Sequence, residues 1–301
     1  MTTNTAAPTR QPALFLGHGS PMNAIEDNRH SRAWAELGAE LARNKPAAIV
    51  AVSAHWYGNM TAVTAMPDPR TIHDFYGFPR ALFDVEYRAP GSPELAERIG
   101  DVLKPDWVGQ DRDSWGLDHG TWSVLKHLMP DADVPVVQLS INAEKPLDYH
   151  LELGRKLSAL RDEGVLVLGS GNVVHNLRAI DWGNPGGGFD WADRFDEAAR
   201  EVMLRDPSTL GDLRGHRDYR LAVPTPDHFL PLAYVAGAAG DAVREGGGAG
   251  AAGAAGGAGV GAGGSDAADG AGVGAGGARG VRVIDEGRAM GSLSMTGYLY
   301  E

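Results

Sequence analysis

The sequence predicts a three-layer α/β/α single domain with a mixed, largely buried central sheet, and three observations predict it. Short apolar, β-branched runs alternate along the chain with longer segments of helical periodicity. Several of these runs are apolar at every position, which marks strands covered by helices on both faces. The chain of 301 residues, 43% hydrophobic and 22% charged, is long enough to bury the core that such a sheet requires.

Taken in order, Ala13-Leu14-Phe15-Leu16, Ala47 to Ser53 and Thr61 to Met66 read as the first three strands. Ser92 to Leu103 carries apolar residues at helical spacing, with Pro93 in the first turn, where a missing N–H costs nothing. Gly120 to Leu128, Leu147 to Arg161 and Trp191 to Leu204 repeat the helical pattern, with strands at Val134 to Ile141 and Val165 to Leu168. Between Gly246 and Gly280 fall 17 of the 42 glycines, in a stretch of almost pure Gly and Ala whose only charges are Asp266, Asp269 and Arg279. Gly loses the most backbone entropy on ordering and Ala buries little surface, so residues 246–280 are expected to be a flexible insertion within one catalytic domain spanning 1–301. Val281 to Ile284 and Ser292 to Leu299 are expected to return as closing strands.

Composition excludes several functions. A formal net charge of −12 would repel a phosphate backbone or an anionic membrane surface. No cysteine is present, which removes disulfides, thiolate metal sites and cysteine nucleophiles together. Any transition metal must then be held by His and carboxylates. The amino-terminal residues have no apolar core of a secretion signal, and no run of eighteen apolar residues occurs, so a cytoplasmic enzyme is expected. Oligomeric state is not legible.

Ten histidines are present, and their placement carries the functional reading. His18 follows the first strand, His55 the second, and His175 the strand ending in Gly169-Ser170-Gly171. Loops leaving the carboxyl ends of strands in an open α/β sheet converge on one crevice, so these three imidazoles are expected to meet. His119 and His228 occupy polar-to-apolar junctions at helix starts. A phosphate loop at Gly169-Ser170-Gly171 is disfavoured by the absence of Lys and of the Walker spacing. His30, His127, His150 and His216 read as surface or boundary residues, and Phe75, Tyr76 and Phe78 around His73 as core.

In order along the chain stand Gly17-His18-Gly19-Ser20-Pro21, Ser53-Ala54-His55-Trp56, Asp74-Phe75-Tyr76-Gly77-Phe78-Pro79, Gly116-Leu117-Asp118-His119-Gly120-Thr121-Trp122, Gly169-Ser170-Gly171-Asn172 with His175-Asn176-Leu177, and Asp227-His228-Phe229-Leu230-Pro231-Leu232. This series resembles the class III extradiol ring-cleavage dioxygenases of the 4,5-DOPA dioxygenase type, in the LigB-like superfamily. The resemblance runs from about Ala13 to Tyr300 and skips only the insertion. It implies an α/β fold, a mononuclear non-haem metal, and insertion of both atoms of O2 into a catechol-type ring. Fe(II) is the implied working metal, and Zn(II) suits the same nitrogen ligands.

Carried over by position, the resemblance implies His18, His55 and His228 as metal ligands. It implies His175 as either a further ligand or an acid/base group, and His119 as the histidine that moves protons. A histidine of ordinary pKa, about 6.5, serves in both directions. Asp118 reads either as a helix cap or as a carboxylate fixing a ring tautomer, and Trp56 and Phe229 as possible walls for the substrate ring. Two departures stand out. The protocatechuate branch supplies a Glu where this chain has His228 beside Asp227. Plant pigment-forming members carry a His-Pro-Ser-Asp type motif where this chain continues to Asp181-Trp182-Gly183-Asn184-Pro185, so DOPA activity does not follow from the match. The alternative reading is a zinc-dependent hydrolase using the same histidines, separated from the first by its independence of oxygen. A metal-binding sensor without turnover is the other rival.

Overall fold

The computed structural model describes residues 8–240 and 280–301, so the expected insertion lies, apart from Gly280, outside the described residues. Strands β1 (Ala13–Gly17), β2 (Ala48–Gly58), β3 (Ala62–Thr64), β4 (Gly109–Asp111), β5 (Val136–Asn142), β6 (Val165–Gly171), β7 (Val281–Val283) and β10 (Tyr298–Tyr300) form one sheet. Its order is β4-β3-β5-β2-β6-β1-β10-β7. Strands β8 (Arg288–Ala289) and β9 (Leu293–Ser294) make a separate ribbon. The four central strands are parallel, with Val50 opposite Val137 on one side and Val167 on the other. β3 runs antiparallel to β5, and β10 antiparallel to β1 and β7. The sheet is therefore mixed, as expected.

Continuous apolarity in the strands has the expected cause. Successive residues point to opposite faces, and both faces are covered. Phe15, Val50, Val52, Val137, Leu139 and Val167 join one core. It includes residues of α3 (Pro93–Val102), α5 (Leu147–Asp162), α6 (Asp190–Arg205) and α8 (Leu230–Ala239). Leu14, Leu16, Ile49, Ala51, Val136 and Leu168 join the other, with residues of α1 (Arg29–Leu41) and α4 (His119–Leu128). The result is a single three-layer α/β domain.

The strands and helices expected between Ala13 and Leu204, and the strand expected at Val281 to Ile284, are regular, with bounds shifted by a few residues at most ends. The closing strand expected at Ser292 to Leu299 is corrected: Leu293–Ser294 joins the separate ribbon and only Tyr298–Tyr300 closes the sheet, because Ser294 N bonds Val174 O and Met295 N bonds Gly287 O instead of a sheet neighbour. Ser92 caps α3 through a hydrogen bond from Leu95 N, and Pro93 opens it. α1, β4, β8 and the one-turn helices α2 (Arg80–Phe83) and α7 (Tyr219–Ala222) stand outside the expected elements. α1 is capped by Asn28, reciprocally bonded to Ser31, and buries Trp34, Leu37 and Leu41. β4, Gly109-Gln110-Asp111, has no apolar run and exists by pairing with β3. α8 is buried along its whole length against α5. The two backbones meet through glycines: a Cβ at Gly154 would lie 2.1 Å from Tyr234 O, and one at Gly237 the same distance from Leu151 O.

Three expectations about single residues are corrected. His150 is fully buried between α5 and α8, with Nδ1 3.0 Å from the Tyr234 hydroxyl, because its helix face turns inward. Tyr76 is 91% exposed, and only Phe75 and Phe78 pack on the core. Phe229 is also core, against Phe195 and Tyr219, and walls no pocket.

Candidate metal centre

The adjacent strands β2, β6 and β1 end together, and each end delivers part of one site. His18 follows β1 directly, its N–H bonded to Gly171 O at the end of β6. His55 lies in an irregularity of β2, where register against β5 slips: Val52 pairs with Leu139 but Tyr57 already with Ile141. Such a bulge re-aims side chains, and here it delivers His55 to the site. His175 sits past β6, held by N–H donation to Ala222 O and by a bridge to Leu293 of β9. His119 is the first residue of α4 and His228 lies just before α8.

The five rings meet. His18 stands 5.0 Å from His55, 5.2 Å from His228 and 5.9 Å from His119, centroid to centroid. His119 lies 3.8 Å from His55, and His175 stacks flat on His228 at 3.4 Å. Donor atoms of His18, His55 and His119 all fall within 4.8 Å of one another, as do those of His175, Asp227 and His228. All five predicted site histidines are thus brought together, although their sequence positions span more than two hundred residues.

Hydrogen bonding fixes how they face each other. The Nδ1 of His18 bonds Ser170 Oγ at 2.9 Å, and that of His228 bonds Asp227. The Nδ1 of His55 lies 3.3 Å from Asp74 Oδ2. Each carboxylate favours a proton on the facing Nδ1, which leaves a lone pair on Nε2. The Nε2 atoms of His18 and His55 then confront each other at 3.2 Å. The bare Nε2 of His55 beside the Nε2 of His18, with carboxylates behind His55 and His228, is a donor set that fits a metal.

Burial first, then the mutual repulsion of the imidazoles, holds His18 and His228 well below the usual histidine range. Burial, followed by the charge of His119, pushes His55 down to about 3, and burial takes His175 to about 4. His175 is therefore far from the ordinary value expected of a free proton carrier. Burial also lowers His150 to about 4. All are neutral at pH 7, the form that binds metal.

The sign of the pH effect follows. The unfolded chain protonates its histidines near about pH 6.5, where the folded chain does not, so it binds more protons and stability drops as pH falls. Metal-stripped protein is expected to keep a constant urea midpoint above about pH 7 and to lose stability from about pH 6.5 down to pH 4. A flat midpoint across that window would contradict the burial of neutral imidazoles.

Asp74 is the functional residue that the sequence reading missed. Its carboxylate accepts the His119 backbone N–H at 2.9 Å and stands at the same distance from His119 Nδ1, while the other oxygen faces His55. Burial raises its pKa, but the bond and charge of His119 and the charge of His55 outweigh this and hold it below the ordinary carboxylate value. The available signal was a lone acid within an aromatic segment. Asp118 proves to be the helix cap: it accepts from Thr121 N, Ser53 Oγ and Gln138 Nε2 and touches no imidazole. Burial, then the charge of Asp74, raises it to about 6. Trp56, beside His55, stacks on Trp115 at 5.6 Å with rings 7° apart. His73 is tied to Val85 O and packs on Phe75, Phe83 and Trp122.

A family model described as the catalytic LigB subunit of aromatic ring-opening dioxygenase matches residues 12–252. The chain belongs to that family. A protein of Escherichia coli strain K12 named 4,5-DOPA dioxygenase extradiol is 53% identical over 234 residues, 76% of this chain and 86% of that one. One of the same name from Beta vulgaris is 39% identical over 242 residues, 76% of this chain and 87% of its own. The crystal structure of an uncharacterized protein of Escherichia coli K12 superposes with a TM-score of 0.74 at 39% identity, covering 97% of this chain and 100% of that one. This dioxygenase is therefore an oxidoreductase that opens an aromatic ring by extradiol cleavage, with a metal cofactor and with an aromatic compound and O2 as substrates. The hydrolase alternative finds no support among these relatives. No helix among the described residues of the dioxygenase is long and apolar enough to cross a membrane.

Proposed function

We propose that this dioxygenase works with Fe(II) held by His18, His55 and His228, that it cleaves a catechol-type diol of the DOPA kind, and that His119 and His175 move the protons. The observation that carries the ligand set is the position of His18, whose ring lies within 5.2 Å of both His55 and His228. His119 and His175 flank that set, each with its ring against one of the ligands. The names of the relatives from Escherichia coli and Beta vulgaris support the DOPA-like substrate. Zn(II) suits the same imidazoles and competes for them.

Bound there by His18, His55 and His228, the metal would activate oxygen and pass charge to it from the diol. The residues supply the rest. Asp74 orients His119 from behind, through its backbone and ring nitrogens, so that this imidazole stands ready to take a hydroxyl proton from the diol. His175, pressed flat on His228 and neutral at pH 7, must first take up a proton released by the diol before it returns one to oxygen as the ring opens. Burial of His18, His119 and His228 excludes water from the reacting groups.

The test is direct. Protein loaded anaerobically with Fe(II) is expected to consume O2 on addition of DOPA or another catechol and to form a yellow semialdehyde. Fe(II) binding without oxygen uptake across a panel of substituted catechols would defeat the proposal.

A further inference from the structure

We propose that Ser170 is a positioning residue that fixes the tautomer of His18 and so aims its Nε2 lone pair at the metal. The proposal rests on the reading of His18 as a ligand.

The end of β6, Gly169-Ser170-Gly171, alternates sides as a strand must. A Cβ at Gly169 would lie 2.6 Å from Pro231 O, and one at Gly171 2.2 Å from His228 O. That side therefore admits no side chain, because the segment carrying His228 rests on the bare backbone. Ser170 points the other way, toward α4 and His18, and is completely buried.

Its hydroxyl has two neighbours, Gly120 O at 2.6 Å and His18 Nδ1 at 2.9 Å. A carbonyl can only accept, so the single hydroxyl proton goes to Gly120 O. Toward His18 the oxygen is left as an acceptor, and Nδ1 must be the donor. A neutral imidazole carries one N–H, so Nε2 is bare, and it is this atom that faces His55 Nε2 at 3.2 Å. The opposite tautomer would set a lone pair of Nδ1 against one of Ser170 in a site closed to water, and would put a proton where the cation belongs. One hydroxyl thus ties the first turn of α4, which bears His119, to the protonation pattern of His18.

The full-length chain, labelled with 15N-histidine and stripped of metal, reports the tautomer in long-range 1H–15N spectra, with His18 identified by loss of its signals in His18→Gln. Wild-type His18 is expected as the Nδ1–H form. In Ser170→Ala the Nε2–H form is expected to appear, and Co(II) affinity, read by absorbance titration, to fall about 10–100-fold. Ser170→Cys nearly conserves volume but replaces the oxygen with a weak acceptor, so it should show the same change and decides the matter if the alanine variant does not fold. A part that only held β6 to α4 would lower the melting temperature and leave the tautomer alone. Persistence of Nδ1–H with unchanged Co(II) affinity in the folded variant, or Nε2–H in the wild type, would overturn the proposal. Unchanged Co(II) affinity in His18→Gln would instead sink the ligand reading, while the tautomer in the stripped chain still decides the part played by Ser170.

Discussion

Replacing His55 by alanine is expected to abolish oxygen uptake with a catechol and to strip the protein of its metal. This imidazole sits at the centre of the cluster: Nε2 is 3.2 Å from that of His18, its ring is 5.1 Å from His228, and it faces both His119 and Asp74. Outer partners of metal ligands cost about 10–100-fold in affinity or activity when removed, so loss of a ligand itself should exceed that range. Metal content measured after gel filtration, together with an oxygen-electrode trace, separates loss of binding from loss of chemistry. A variant that retained both would show that the ion is held elsewhere.

The second large effect concerns stability. Arg161→Ala is expected to destabilise the protein by about 3–5 kcal/mol. The Arg161 side chain is entirely buried and bonds three carbonyls from distant segments: Nε to Gln11 O at 2.7 Å, Nη1 to Ala238 O at 2.8 Å and Nη2 to Tyr300 O at 3.0 Å. These residues precede β1, end α8 and close β10, and since Tyr300 pairs with Ala13, one guanidinium ties three segments together at one end of the sheet. Burial lowers its pKa to about 10, which still leaves it charged at pH 7. Alanine would strand three buried acceptors, each worth about 1–3 kcal/mol when unpaired. Urea unfolding measures the loss, and Arg161→Lys, which can satisfy fewer of the three, should fall between. A change in the alanine variant below about 1 kcal/mol would mean that water replaces the guanidinium.

Legibility differs by residue for physical reasons. The buried strands announced themselves, because a strand packed on both faces must be apolar at every position, as Ala13 to Leu16 and Val165 to Leu168 are. β4 was silent, since its three residues owe their conformation to β3 and not to their own side chains. α8 showed only its start, because a helix buried all round has no polar face to give periodicity. The candidate histidines were legible because they follow strand ends, and the family resemblance assigned them parts. Phe229 misled, because an aromatic next to a site histidine can point into the core as easily as into the pocket. His150 misled in the opposite sense: charged neighbours along α5 disguised an inward-facing position.

By itself, the sequence determined the layered α/β architecture, the absence of thiolate chemistry, the identity of the nitrogen ligands available to a metal, and the family. These follow from residue type and local spacing. Only the tertiary structure decided that Asp74 stands behind both His55 and His119, that Asp118 serves as a cap, and which ring nitrogen each histidine presents. Those facts depend on hydrogen bonds between residues as far apart as His18 and Ser170, and a bond's direction is set by where the chain brings its partners together in space, which no local pattern encodes.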